Sequence, residues 1–409
     1  MTTTTRLDPT ALLSDLAARE DLSRGFGPRH SHGPDALPLL GGAPSPDLLP
    51  LAQISAASQE LAADPTALVG ALQYSQPAGR EALRAWIARR EGVDASRVLV
   101  TNGAFHGLSL VFDALLDRGD EIIVEDPTYP LIFRDLQHHQ PRVLPLRLGS
   151  DGFDLAALEA QLVAGARPAL LYTVPDFHNP TGFVTPLAQR ERLVELAEHF
   201  GFVIVSDNAY HGLSFGDAAP ADYPLDSDRV VHVRTFSKVL GPGLRLGWLV
   251  LPDWLVTPVT RLRANQDQHS SAFVQAVVER VIDAAGDVAS EGAFDRIADR
   301  ARTACAQRFD LVAELLDDGV PGGVEAVHRT GGIFLWAHVL DEGIDLASAQ
   351  HLARTRYGTD AVLGRYFFGH DTEDDRGRLR IGISHLPPEQ LRTGAERLVA
   401  ALTDPEARR

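Results

Sequence analysis

Lys238 is the only lysine in 409 residues; the other 37 of the 38 basic residues are arginine. Arginine stays protonated and serves wherever any cation will do. Lysine in a suitable pocket loses its proton and forms an imine with an aldehyde. A lysine kept against such a background suggests chemistry, although a stray surface cation is the plain alternative. Its neighbours favour chemistry. Thr235-Phe236-Ser237 precedes it, just after the apolar run Val230–Val233, and Gly241-Pro242-Gly243-Leu244-Arg245-Leu246-Gly247 follows. Hydroxyls, glycines that allow close backbone approach, and the guanidinium fork of Arg245 make an anion cradle beside an amine.

Three other segments have chemical potential. Ser206-Asp207-Asn208-Ala209-Tyr210 follows the run Phe202–Val205. A carboxylate at a buried strand end needs a positive partner, such as a protonated heteroaromatic nitrogen; otherwise Asp207 is a cap or turn residue. Pro175-Asp176-Phe177-His178-Asn179-Pro180-Thr181-Gly182 follows Ala169–Thr173. Its core is turn chemistry, with Asn179 offering an amide to a ligand oxygen. Thr101-Asn102-Gly103-Ala104-Phe105-His106-Gly107 separates the run Val98–Val100 from a helical pattern. Backbone N–H groups there suit an anion, but without a lysine the loop is no nucleotide P-loop.

The elements that position these segments follow from periodicity. Short apolar runs at Val98–Val100, Ile122–Val124, Val143–Leu146, Ala169–Thr173, Phe202–Val205, Val230–Val233 and Leu246–Val250 predict seven strands, several of them buried on both faces. Helical patterns at Gly103–Leu116 and Leu187–Phe200 alternate with them, predicting an α/β fold with a largely parallel, doubly wound sheet. Ligands bind at the carboxyl ends of such strands, where the four segments lie. Arg80–Glu91 predicts another helix. After about residue 290 come a long amphipathic helix (Phe294–Asp317), the run Gly332–Val339, a helix near Leu346–Tyr357 and the run Leu379–Ser384, together an α+β lobe. The first forty residues are polar and rich in Pro and Gly, with one helical pattern at Thr10–Arg19, and predict an arm.

A formal charge of −17 argues against nucleic acid or an anionic membrane as partner. One cysteine, Cys305, excludes an intrachain disulfide framework and a cysteine metal cluster. The start lacks a signal-peptide core and no run of 18 apolar residues occurs, so a cytoplasmic protein is expected.

Taken in order, Gly103-Ala104-Phe105, Tyr129, Asn179, Asp207 with Tyr210, Lys238 and Arg245 are spaced 28 residues from Asn179 to Asp207, 31 on to Lys238 and 7 on to Arg245. This resembles the fold-type I pyridoxal-phosphate (PLP) enzymes of the class I/II aminotransferases, most of all the 2-aminoadipate and kynurenine branch. The resemblance runs from about Leu39 to Leu402. It includes Gly41-Gly42-Ala43-Pro44-Ser45-Pro46-Asp47, Tyr74 with Pro77-Ala78-Gly79-Arg80-Glu81, and Arg329-Thr330-Gly331-Gly332-Ile333-Phe334-Leu335-Trp336.

The resemblance implies a large PLP domain (51–290) with a mostly parallel seven-stranded sheet between helices. It also implies a smaller α+β domain (291–409), with residues 1–50 forming an arm and part of that small domain. It implies a homodimer with shared sites acting on amino and 2-oxo acids. Lys238 would hold PLP as an imine and carry the proton between substrate and cofactor. Asp207 would pair with the pyridine nitrogen. Asn179 and Tyr210 would bond the ring hydroxyl, and Tyr129 would stack on the ring. Gly103, Ala104, Phe105, Thr235, Ser237 and Arg245 would hold the phosphate, joined by Tyr74 of a neighbouring subunit. Arg380 would take the substrate carboxylate, with Gly41 and Asn179 beside it. No metal is implied.

Three departures bear on substrate. Ala104-Phe105 replaces the branch's Ser-Gln, so the phosphate leans more on backbone N–H groups and Arg245. His178 replaces a Gln, as a substrate contact, an extra acid/base or a packed loop residue. Asn208 replaces an acid. In the arm, Arg29-His30-Ser31-His32 either set specificity or form a solvated tail. Elimination or replacement, decarboxylation and oxidative deamination on the same site stand as the alternative to transamination. An amino-acid-sensing regulator would carry a winged-helix domain ahead of this fold, and the segment before Leu39 is too short for one.

Overall fold

The computed structural model describes residues 9–18, 25–26, 31–216, 220–282, 292–369 and 377–409. The larger sheet contains β1 (Val98–Thr101), β2 (Glu121–Asp126), β3 (Arg142–Gly149), β4 (Gly152–Phe153), β5 (Pro168–Thr173), β6 (Val203–Asp207), β7 (Val230–Thr235) and β8 (Gly247–Val250). All seven expected strands are present, and the two-residue β4 adds an eighth at the edge. The spatial order is β1-β8-β7-β6-β5-β2-β3-β4. The central pairs from β7 to β3 are parallel, whereas β8 runs antiparallel to both β7 and β1. Every residue of β1, β6 and β8 is buried, as their unbroken apolar runs require of strands covered on both faces.

The helices Ala104–Leu115 and Leu187–Phe200 fall where the sequence places them. The second sheet contains β9 (Val324–Val327), β10 (Phe334–Val339), β11 (Val362–Leu363) and β12 (Arg378–Gly382), in the antiparallel order β9-β10-β12-β11. The long helix Ala293–Gly319 buries Ile297, Ala301, Cys305, Arg308, Val312 and Leu316, a three-to-four spacing that puts one face inward. Truncating Leu316 to Ala would cost about 2–5 kcal/mol by transfer and cavity terms. The predicted helix near Leu346–Tyr357 is α-helical to Leu352 and then widens into a π-turn over Ala353–Tyr357.

Leu37–Pro38 pairs in parallel with Thr359–Asp360, stitching the N-terminal segment to the C-terminal part of the chain. The arm pattern resolves into a 3-10 turn at Pro9–Leu12 and a short helix at Asp15–Ala18. Arg19, Arg29 and His30 lie outside the described residues. Among the described residues no helix is long and apolar enough to cross a membrane.

Candidate active site

The parallel order of β5, β6 and β7 sets their carboxyl ends side by side, with Thr173 opposite Ser206 and Asp207 opposite Val233. Chain emerging there carries Asn179, Asp207 and Lys238 into one cavity of about 180 Å³. Tyr129, Tyr210, Ala104, Phe105, Thr235, Ser237 and Arg245 also line it. A cleft of about 960 Å³ lies elsewhere, against Asp126, Arg147, Trp336 and Arg378. Its size does not make it the reactive site, because the one lysine is in the smaller cavity.

Lys238 Nζ donates to the carbonyl of Gly42 at 2.8 Å and lies 5.7 Å from the Tyr210 ring centroid. Burial lowers its pKa to about 8; Asp207 opposes this, while Arg380 and Arg245 add to it. Burial pushes the Asp207 carboxyl up to about 6, against a Tyr172 hydrogen bond and the Lys238 charge, with Glu125 adding to the rise. Asp207 Oδ2 accepts from Tyr172 Oη at 2.9 Å. Its other oxygen, Oδ1, is buried without a partner among the described residues. An orphaned buried carboxylate oxygen costs free energy unless a ligand donor meets it.

Across the cavity Gly103 adopts φ 84° and opens the helix Ala104–Leu115. The positive φ favours glycine at this position, and a Cβ there would lie 2.7 Å from Arg245 Nη2, so a side chain would also push the guanidinium aside. Arg245 Nη2 donates to the Asn102 carbonyl at 2.7 Å. Thr235 Oγ1 donates to Ser237 Oγ at 2.8 Å and accepts from the Ser237 N–H at 3.1 Å. Helix N–H groups, two hydroxyls and a guanidinium together suit a phosphate.

Arg380, on β12, comes in from the second sheet and is buried. Nη1 donates to Asn179 Oδ1 at 3.1 Å and Nη2 to the Leu40 carbonyl at 3.0 Å. Phe334, Phe26 and Phe367 stand with ring centroids 4.1, 4.4 and 5.1 Å from its Cζ. Burial lowers its pKa to about 10, opposed by Tyr210 and Tyr129, so it stays charged at neutral pH. Gly41 lies between the two carbonyls that receive Arg380 and Lys238. A Cβ there would sit 2.5 Å from the His385 ring.

Gly41, Gly103 and Arg380 adjoin the cavity through the contacts above without lining it, whereas Tyr74 and His178 are directed elsewhere. Tyr74 is 83% exposed and meets His269 edge-on at 6.0 Å. His178 is buried and turned away: Nδ1 lies 2.9 Å from Thr181 Oγ1, and Nε2 is 3.1 Å from Glu125 Oε2 but outside hydrogen-bond alignment. Of the three roles open to it, packed loop residue matches its position.

The sequence did not flag Tyr172, Glu125, Asp176, Phe26, Phe334 or Phe367. Glu125 and Asp176 carried the same signal as Asp207, a carboxylate at the end of an apolar run. The aromatics carried none: Phe334 in an apolar run and Phe367 beside Phe368 read as core, and Phe26 stands alone in a polar arm. Asp176 accounts for Asn208. Its buried carboxylate accepts from Asn208 Nδ2 at 2.6 Å, Arg190 Nη2 at 2.6 Å and His211 Nδ1 at 2.7 Å. An acid on the β5 loop thus faces an amide on the β6 turn.

The family model for aminotransferase class I and II matches residues 43–398. A 2-aminoadipate transaminase of Thermus thermophilus is 32% identical over 90% of each chain. An aromatic-amino-acid aminotransferase of Thermococcus litoralis is 29% identical over 90% of this chain and 88% of that one. The structure of LysN, an α-aminoadipate aminotransferase of Thermus thermophilus, superposes with a TM-score of 0.84 at 28% identity, covering 97% of this chain and 98% of that one. The chain belongs to the class I and II aminotransferases. It is an aminotransferase, with the fold-type I architecture expected of it.

Proposed function

We propose that this aminotransferase binds PLP in the 180 Å³ cavity and uses it to move the amino group of an L-amino acid to a 2-oxo acid. The observation that carries this is that Lys238 and Asp207, whose Oδ1 has no partner among the described residues, line one cavity that also holds an anion cradle. The LysN structure was determined with a phosphopyridoxyl-leucine adduct, which favours the same cofactor here. When bound, PLP supplies an aldehyde for the lysine and an electron-withdrawing ring for the substrate carbanion.

Lys238, in its free-amine form, would hold the cofactor through its aldehyde and, with its amine free again, would carry the proton to and from the substrate Cα. Asp207, through its unpaired Oδ1, would accept a hydrogen bond from the ring nitrogen. Asn179 and Tyr210 would hold the ring hydroxyl, and Tyr129 would pack against the ring. Gly103, Ala104 and Phe105 offer backbone N–H groups to the phosphate, with Thr235, Ser237 and Arg245. Arg380 binds the substrate carboxylate, with Asn179 and the Gly41 segment alongside.

Residues 51–290 form the cofactor domain in this proposal, and 291–409 the small domain, with 1–50 as the arm and part of the latter. The pairing of Leu37–Pro38 with Thr359–Asp360 supports that division. A homodimer completes the site through Tyr74, and the exposed Val69, Leu72 and Tyr74 suit a covered face. A cytoplasmic setting fits the single buried, unpaired Cys305.

The test is to incubate PLP-loaded protein with 2-aminoadipate, kynurenine, leucine, phenylalanine and aspartate separately, each with and without 2-oxoglutarate. Glutamate formed in equal amount to the donor's oxo acid, and only when acceptor is present, is expected under turnover. Release of ammonia or carbon dioxide without acceptor would assign the site to elimination, oxidation or decarboxylation instead.

A further inference from the structure

We infer that Tyr172 is a positioning residue for the cofactor ring: by occupying Asp207 Oδ2 it fixes the carboxylate so that Oδ1 alone faces the ring nitrogen. The inference rests on the PLP assignment above and extends it to a residue that does not touch the cofactor cavity.

Three observations support it. Tyr172 is fully buried on β5, beside β6, and donates to Asp207 Oδ2 at 2.9 Å. Asp207 Oδ1 is buried with no protein partner among the described residues, although the carboxylate lines the cavity. The Phe112 ring stands edge-on to Tyr172 at 6.5 Å, bracing the phenol within the core.

The phenol can act only as a donor here. Burial raises its pKa well above the ordinary value, and the charges of Asp207 and Glu125 raise it further. A neutral phenol beside a carboxylate donates its one proton, and Asp207 can share that proton but not lose the contact by titration of the phenol. The charged and titratable groups around Asp207 are Tyr172 on the neighbouring β5, Glu125 on β2 beyond it, Lys238 after β7, and the cavity-lining Tyr129 and Tyr210. Of the causes that set its pKa, only Tyr172 and Lys238 favour the ionised carboxylate. Lys238 would be taken up by the cofactor, whereas the Tyr172 contact would stay in place as support for the charge that a pyridinium needs.

Tyr172→Phe removes one oxygen and keeps the ring. The decisive comparison is binding to the apo-protein of PLP and of an analogue in which carbon replaces the ring nitrogen, followed by tryptophan fluorescence. Tyr172→Phe should weaken PLP roughly tenfold or more, as loss of a hydrogen bond to a charged group does, and leave the analogue unchanged. The acid-side fall in PLP affinity should also move to higher pH, because Asp207 then protonates more readily. In an Asp207→Asn background the Tyr172→Phe effect on PLP should vanish.

Equal weakening of both ligands would make Tyr172 a packing residue and overturn the inference, as would no change in either. Wild-type protein that binds neither ligand would overturn the PLP assignment and this inference together. Wild type that prefers PLP while the variant weakens both ligands equally overturns the inference alone.

Discussion

Arg380 Nη1 donates to Asn179 Oδ1 at 3.1 Å, joining residues 201 apart in the chain and two different sheets. Arg380 belongs to β12 of the four-stranded sheet, and Asn179 follows β5 of the eight-stranded one. A substrate carboxylate arriving at this guanidinium would therefore engage both halves of the molecule at once. The three phenylalanine rings around Arg380 keep it dry, which strengthens any charge-assisted bond it makes.

Arg380→Lys keeps the charge but loses the planar fork. We expect kcat/KM for amino acids to fall about 100-fold, on the order of 3 kcal/mol, with most of the change in KM. Reactivity toward an amine that lacks a carboxylate should stay within about twofold. Steady-state kinetics with both donors separates the outcomes; equal loss for both would remove Arg380 from carboxylate binding.

Lys238, with its pKa lowered to about 8, gains its free-amine form as pH rises through that value. The rate at which apo-protein captures PLP should climb between about pH 7 and 9 and then level off. Borohydride reduction followed by peptide mapping should place the cofactor on Lys238. Lys238→Arg should leave no such product and no turnover. A pH-independent capture rate would show that deprotonation of Lys238 does not limit the step.

Asp176 supports stability by the opposite sign of titration. Burial alone would raise its pKa, but the His211 hydrogen bond and the Arg190 charge outweigh burial and hold it below the usual 3.8. Its contribution is therefore fully present above pH 3.8 and is lost as pH falls through the lower folded-state value. Asp176→Asn leaves a buried guanidinium uncompensated and should cost about 3–5 kcal/mol in denaturant unfolding at pH 7. Asp176→Asn with Asn208→Asp restores a carboxylate facing an amide and should recover at least half of the loss. No recovery would mean that the Arg190 contact dominates.

Tyr74 is exposed, as a residue serving a neighbour's site would be in a single chain. Lys238→Ala and Tyr74→Ala proteins, mixed and reassembled, should regain activity, because one of the two sites in a hybrid dimer receives both intact residues. Activity should approach one quarter of wild type, from half the dimers being hybrid and half their sites intact. Demonstrated hybrids without recovery, starting from severely impaired parents, would place Tyr74 outside the shared site.

The sequence by itself determined the strands, because unbroken β-branched runs are tolerated only where both faces of a sheet are covered. It also marked Lys238, Asp207 and Asn179, because polar residues at the ends of such runs must meet a partner. Resemblance, not pattern, marked Arg380, one arginine among 37. Only the tertiary structure decided which partner each one meets. The antiparallel entry of β8 between β7 and β1, the turning of His178 toward Glu125, the exchange of acid and amide between Asp176 and Asn208, and the grip of Tyr172 on Asp207 all depend on strand order and register. Those are long-range choices, set when separate strands pack, and local periodicity carries no record of them. The pKa values of Lys238 and Asp207 belong to the same category: burial sets both, and burial exists only once the two sheets have closed around the cavity.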